Sequence, residues 1–119
     1  MTRPAESGED EEAIDSLVIV DQAHLASFTE GDAELENELA DLFVNTARGY
    51  LKRMREAVSE ERAWSAEAHA LKGASANLGA RRLAALARQA EFAPPSNEQI
   101  DAISEAIDDV ATYFANRKL

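Results

Sequence analysis

The sequence predicts an all-α protein: an antiparallel, up-down-up-down four-helix bundle with a short N-terminal lid helix. Three observations carry this expectation. Apolar residues recur at three-and-four spacing in four successive segments. The segments are punctuated by residues that start or stop helices, namely Asp32, Gly79, the Pro94-Pro95 pair and Ser96. No stretch alternates apolar and polar residues as a strand would. Helices with one apolar stripe each and short connections bury those stripes most economically as a bundle. A chain of 119 residues is enough for one compact domain and too short for two. The expected boundaries are a tail over 1–16 and the bundle over 17–119.

Residues 1–16 hold six acids against Arg3, in a chain whose formal net charge is -11. With few large apolar residues, this segment reads as a disordered acidic tail. Leu17–Val20 is a short apolar lead-in, and Asp21 can cap a brief helix to about Phe28 that packs Leu25 and Phe28 on the rest as a lid. Thr29 to Asp32 make a turn. Asp32 then opens a long helix, near 32–58, in which Leu35, Leu39, Leu42, Phe43, Thr46, Tyr50, Met54 and Ala57 form the stripe. Ser59 followed by Glu60 and Glu61 reads as an N-cap for a third helix near 60–78, with Trp64, Ala68, Leu71, Ser75 and Leu78 inward and Gly79 as its stop. A fourth helix near 80–93 carries Leu83, Leu86, Ala87 and Ala90 and ends at the prolines. Ser96 and Gln99 form a capping box for a last helix near 97–117. Its Ile100, Ile103, Ile107, Val110 and Phe114 keep an a/d rhythm, and Arg117 and Lys118 suit its negative end.

Composition excludes several functions. Without cysteine there is no disulfide framework and no thiolate zinc site. Leu17–Val20 is far too short for a membrane span or a signal-peptide core, so a cytoplasmic location with no membrane contact is expected. No Gly-rich phosphate loop or dinucleotide fingerprint is present, which argues against an ATP-dependent kinase or a hydride-transferring enzyme. From Glu61 to Glu91 five bases face three acids, so this segment is positive within an acidic chain and suits an acidic partner. Nucleic acid is not that partner, because the rest of the chain repels phosphates and no aromatic-basic stripe appears.

The third helix has an unusual outer face. With Leu71 at zero and about 100° per residue, Arg62, Ser65, Ala66, His69, Lys72, Gly73 and Ala76 fall between about 100° and 220°, opposite the core. Exposed faces normally carry long charged side chains, yet this histidine is surrounded mainly by Ser, Ala and Gly. Gly73 costs about 1 kcal/mol against alanine in a helix interior and so needs a reason. Helical side chains lean toward the N-terminus, so any residue at 73 would cover His69, and glycine removes that cover. Lys72, three residues on, can bring a cation to whatever the imidazole carries, and a cation there suits a phosphoryl group. His24 has no such surroundings and reads as a histidine without a task. Metal binding is not expected, since Glu67 lies on a different face from His69. Protease-type catalysis lacks an orienting third group, and Ser75 is more simply a small core residue.

The run His69-Ala70-Leu71-Lys72-Gly73-Ala74-Ser75-Ala76-Asn77-Leu78-Gly79-Ala80 resembles the signature of the histidine-containing phosphotransfer (HPt) family. Similarity extends to Gly31-Asp32, Leu42-Phe43, Leu83, Leu86 and Glu91, over roughly residues 17 to 117. The resemblance implies that His69 accepts a phosphoryl group from a receiver aspartyl phosphate and passes it to another receiver. It implies that Lys72 helps to hold that group and that Gly73 keeps the site open. Some members place a glutamine near the phosphorylated ring from the following helix; the matching position here is Glu91, with Gln89 nearby on another face. The implied partners are receiver domains of response regulators or hybrid histidine kinases. The protein would need no cofactor of its own, the receiver supplying Mg²⁺ with its aspartate.

The expected chemistry is in-line attack by a neutral imidazole, through Nε2, on an acyl phosphate. Arg62, Ser65, Ala66, Ala70 and Ala76 are the expected receiver-docking residues, and the protein is expected to be a monomer. The rival reading is a pure interaction module that binds a partner through Ala66, Ala70, Ala76 and the lid without phosphoryl flow. A docking face alone, however, needs none of His69, Lys72 and Gly73.

Overall fold

The computed structural model describes residues 14–117. Among these there is no strand, and the principal elements are α1 (Gln22–Thr29), α2 (Ala33–Ser59), α3 (Ser65–Leu78), α4 (Arg81–Glu91) and α5 (Asn97–Arg117). Residues 1–13, most of the expected acidic tail, lie outside the described residues, while residues 14–16 are helical.

The helix starts follow from local chemistry. The Asp21 side chain accepts from the His24 N–H and caps α1, and Asp32 accepts from the Leu35 N–H and caps α2. Ser96 Oγ accepts from the Gln99 N–H at 3.3 Å, one half of the expected capping box. Gly79 ends α3 at φ +89°, and a Cβ there would meet the Asp21 carbonyl at 3.0 Å and His24 Cδ2 at 3.2 Å. Both the backbone angle and the close approach of the α1 segment therefore require glycine.

The four longer helices pack as a ring of neighbours, α2 on α3, α3 on α4, α4 on α5 and α5 on α2. Leu71, Ile103, Ile107, Val110 and Phe114 are buried at the centre, as their spacing predicts, and Ser75 is fully buried. The α1 segment is tied to this ring at several points. Asp21 N–H donates to the Gly79 carbonyl at 2.7 Å, and Arg81 Nη2 meets Asp21 Oδ2 at 2.8 Å.

Five expectations are corrected. The third helix begins at Ser65 rather than near 60, because residues 60–64 form a loop in which Glu61 takes φ +54°. Ser59 accordingly ends α2 instead of capping α3; the cap position is Trp64, a buried indole whose N–H donates to the Ala90 carbonyl at 2.9 Å. The buried stripe of α2 runs through Glu36, Ala40, Phe43, Ala47, Leu51, Met54 and Ala57, so Leu35, Leu42 and Thr46 face outward. Phe28 is exposed, and only Leu25 of the expected lid pair is buried. The fourth helix also stops at Glu91, slightly before the expected end near 93.

Glu36 is the least expected member of the interior. Its carboxylate, 1% exposed, accepts from Thr29 Oγ1 at 2.6 Å, Gln22 Nε2 at 2.9 Å and Arg117 Nη2 at 2.8 Å. Burial alone would raise this carboxyl, but the three donors together hold it below the usual carboxylate value. One buried acid thus joins α1, the start of α2 and the end of α5.

Candidate functional site

The outer face of α3 is open as its composition suggests. Ser65, Ala66, His69, Gly73 and Ala76 are exposed, whereas Ala70 and Lys72 are half-buried. The His69 side chain is 64% exposed, and a Cβ placed on Gly73 would meet nothing within 4 Å. Small residues at these positions leave the ring accessible to a large partner.

The ring is nevertheless fixed. His69 Nδ1 lies 2.8 Å from Glu91 Oε2, and Lys72 Nζ lies 3.4 Å from Glu91 Oε1. Burial would raise the Glu91 carboxyl, but the hydrogen bond to His69 and the charges of His69 and Lys72 bring it below its ordinary value. Glu91 is therefore ionised at neutral pH and can only accept, so Nδ1 carries the hydrogen and donates. The lone pair of the neutral ring is then on Nε2, on the open side. Glu91 Oε1 has no aligned hydrogen bond, and Lys72 compensates it by charge at ion-pair distance.

Trp64 bonds to the chain beside Glu91. The chain reverses at Gly79-Ala80, and His69 and Glu91 lie almost equally far from that link on either side. At the far end of this pair, the Trp64 indole donates to the carbonyl of Ala90, one residue before Glu91. A buried aromatic thus adds a second donor to a carbonyl that also accepts from the Ala93 N–H, and ties the start of α3 to the end of α4 beside Glu91.

Arg62 is not on the helical face where a continuous helix would put it. In the loop before α3 its Nε meets Glu60 at 3.0 Å, its Nη1 meets Glu67 at 3.4 Å and its Nη2 donates to the Arg53 carbonyl at 3.2 Å. These contacts make it a strut between α2 and α3. Gln89 is exposed, while Glu91 makes the contact with His69. His24 Nε2 lies 3.1 Å from the Asn77 carbonyl and its ring meets Phe28 edge-on at 5.8 Å, which ties α1 to the last turns of α3.

Beside the histidine face lies an apolar groove that the sequence reading missed. A cavity of about 260 Å³ is lined by residues that include Phe28, Leu39, Leu42, Thr46, Ala74 and Asn77. Ala70, Ala74 and Asn77 form one stripe of α3, so the groove continues the histidine face toward α1 and α2. Leu42 is 66% and Phe28 51% exposed, an outlay of apolar surface with no role in the core.

Comparison with curated proteins and with solved structures gave no match. Comparison with protein-family models matched residues 38–113, well over half of the chain, to the Hpt domain.

Proposed function

The chain belongs to the Hpt domain family, whose members carry phosphoryl groups in phosphorelays, and from this premise we propose that His69 is the phosphoryl acceptor of this protein. The observation that carries the reading is a single ring both exposed and fixed: Nδ1 is held by Glu91 and Nε2 is left free. Nε2 attacks the phosphorus of a receiver aspartyl phosphate in line. The P–N bond forms as the P–O bond breaks, and the electron pair leaves on the receiver's carboxylate. The ring then bears a positive charge, opposite the Glu91 carboxylate. Lys72 is half-buried beside the ring and close enough to turn its ammonium from Glu91 toward the incoming phosphoryl oxygens. Gly73 leaves open the approach along which the receiver arrives.

The fold in this reading is an antiparallel, up-down-up-down four-helix bundle formed by α2 to α5, with α1 as its lid. Receivers of response regulators or hybrid kinases dock across Ser65, Ala66, Ala70 and Ala76 and into the groove between Phe28 and Leu42. The protein acts as a monomeric carrier without an ATP site or cofactor of its own, and Mg²⁺ comes with the receiver. The location in this reading is cytoplasmic; among the described residues no helix is long and apolar enough to cross a membrane.

The test is incubation with a panel of phosphorylated receivers from the same cell. Wild type should become labelled and His69→Gln should not, with unchanged thermal unfolding of the variant. Binding of a receiver with no transfer to wild type would instead establish the interaction-module reading.

A further inference from the structure

The structure places a carboxylate, not a neutral amide, against the ring nitrogen that does not react. Resting on His69 being the acceptor, we propose that Glu91 is a positioning residue for the phosphorylated state, one that keeps Nδ1 protonated so that the phosphoryl group is held in its transfer-ready form.

The two protonation states of a phosphorylated imidazole differ as leaving groups. When Nδ1 carries a proton, a nucleophile that attacks phosphorus breaks the P–Nε2 bond, the electron pair returns to Nε2, and neutral imidazole leaves. When Nδ1 is bare, the same step must expel an imidazolide anion, a far poorer leaving group. No proton has to move in the first case, because the Nδ1 proton stays between the ring and Glu91 throughout. A negative charge 2.8 Å from Nδ1 favours the protonated state, which an amide at the same distance cannot do by charge.

The surroundings keep that charge available. The Glu91 side chain is 15% exposed, which limits screening by solvent, and its carboxyl is held below the ordinary carboxylate value. Lys72, on the ring's own helix, is the cation that faces Glu91 from α3. Glu67, also on α3, is occupied by Arg62. On α2, the other element packed against α3, Arg53 lies with its guanidinium 4.9 Å over the Tyr50 ring. Once a phosphoryl group forms on Nε2, Lys72 has a second anion to meet, and Glu91 is left to the ring.

The experiment needs no identified receiver. Full-length wild type, Glu91→Gln and Glu91→Asp are phosphorylated with phosphoramidate, with His69→Gln as a blank, and their folding is compared by thermal unfolding. Phosphorus NMR across a pH series reads both the titration of the phosphorylated ring and the rate at which water takes the phosphoryl group. Glu91→Gln should lower the titration midpoint by about one unit, so that at mildly alkaline pH its phosphoryl group is lost up to about tenfold more slowly than in wild type. The rates should converge at acidic pH, where both rings are protonated, and Glu91→Asp, which keeps the charge, should fall between the two. Coincident midpoints for wild type and Glu91→Gln would overturn the proposal, as would a Glu91→Asp protein indistinguishable from Glu91→Gln. A change in rate equal at every pH would reduce Glu91 to a structural role. Failure of wild type to take any label beyond the His69→Gln blank would instead overturn the assignment of His69 itself.

Discussion

Two carboxylates organise this molecule, and they are used in opposite ways. Glu36 is 1% exposed and receives three donors, two from α1 and one from α5, each at hydrogen-bond distance. Glu91 meets an exposed ring through one oxygen and a lysine through the other, and that second oxygen has no aligned hydrogen bond. The first arrangement leaves nothing to exchange, as a structural joint between α1, α2 and α5 should. The second leaves capacity in the network at the place where charge would change in the proposed transfer. A buried acid that is fully bonded fixes a fold; a partly covered acid that is incompletely bonded can answer a new charge beside it.

The largest expected effect breaks the first site. Arg117→Ala leaves the Glu36 charge buried with only its neutral donors and removes the stacking of the guanidinium, 5.2 Å from the Phe114 ring. The cost should be about 3 kcal/mol, near the low end for breaking a buried pair because Arg117 is itself partly exposed. Denaturant unfolding checks this, while the His69 phosphoryl lifetime in the folded fraction should not change. The same site contributes to the acid response. Glu36, Glu91 and Asp21 all have carboxyls below their ordinary values, Asp21 through the His24 N–H and then Arg81. The unfolded chain binds these protons at about pH 4, so their stabilisation is complete above that range and is lost as pH falls through the depressed folded values. Glu36→Gln should flatten the loss of melting temperature below about pH 4 more than Glu91→Gln does; equal slopes would put the two carboxylates on one footing.

Gly73→Gln attacks the second site without touching the first. A glutamine in mid-helix should hold stability or raise it by up to about 1 kcal/mol, since a Cβ at this position meets no neighbour. Its side chain leans toward His69, and displacement of the receiver by that bulk should slow transfer by about 100-fold. A large loss of stability would mean that the face is packed rather than open, and a stable variant with full transfer would mean that glycine is not needed for access.

How much of this contrast could be read in advance depended on whether it was local. The open face was legible because His69, Lys72, Gly73 and their small neighbours lie within two turns of one helix. The α5 stripe was legible because Ile100, Ile103, Ile107, Val110 and Phe114 had no competing pattern. On α2 two patterns compete: Leu35, Leu39 and Leu42 outweigh Ala40, Phe43 and Ala47 in bulk. The core nevertheless took the alanine side, where neighbouring helices can approach closely. That choice sends Leu42 outward and brings Glu36, one turn before Ala40, inside. Periodicity alone would place an acid on the solvent face; the signal for the reverse is the alanine series itself. Trp64 is interior, as its spacing predicts, but it stands at the cap position before α3 and bonds to the end of α4. Contacts between segments, such as Trp64 with Ala90 and His69 with Glu91, have no sequence spacing to announce them.

Lys72→Ala sharpens the comparison from inside the second site. Lys72 is half-buried, with an ion pair to Glu91 at 3.4 Å, and a partly solvated pair of this kind contributes little to folding, so the melting temperature should hardly move. In the proposed reaction this ammonium would stand beside the developing phosphoryl charge, and its loss should slow acceptance from a receiver by about tenfold. If the two networks were alike in kind, the reverse would be seen: a loss of stability comparable to that of Arg117→Ala with transfer intact.

The smallest effect belongs to the groove, which is neither joint nor reactive centre. Leu42 is 66% exposed and lines the apolar cavity beside α3, so Leu42→Ala removes almost nothing from the core and should change stability by less than about 0.5 kcal/mol. A partner that covers this side chain would bury part of a leucine, a gain of about 1 kcal/mol, and the variant should weaken receiver binding by about fivefold. Transfer measured at saturating receiver should stay at the wild-type rate, because the substitution acts on docking and not on Nε2 or its neighbours. A fall in the saturated rate would place Leu42 in the alignment of the reacting groups. Unchanged affinity for every receiver that phosphorylates His69 would show that partners leave the groove uncovered, and the docking surface would then shrink to the small residues of α3 around the ring.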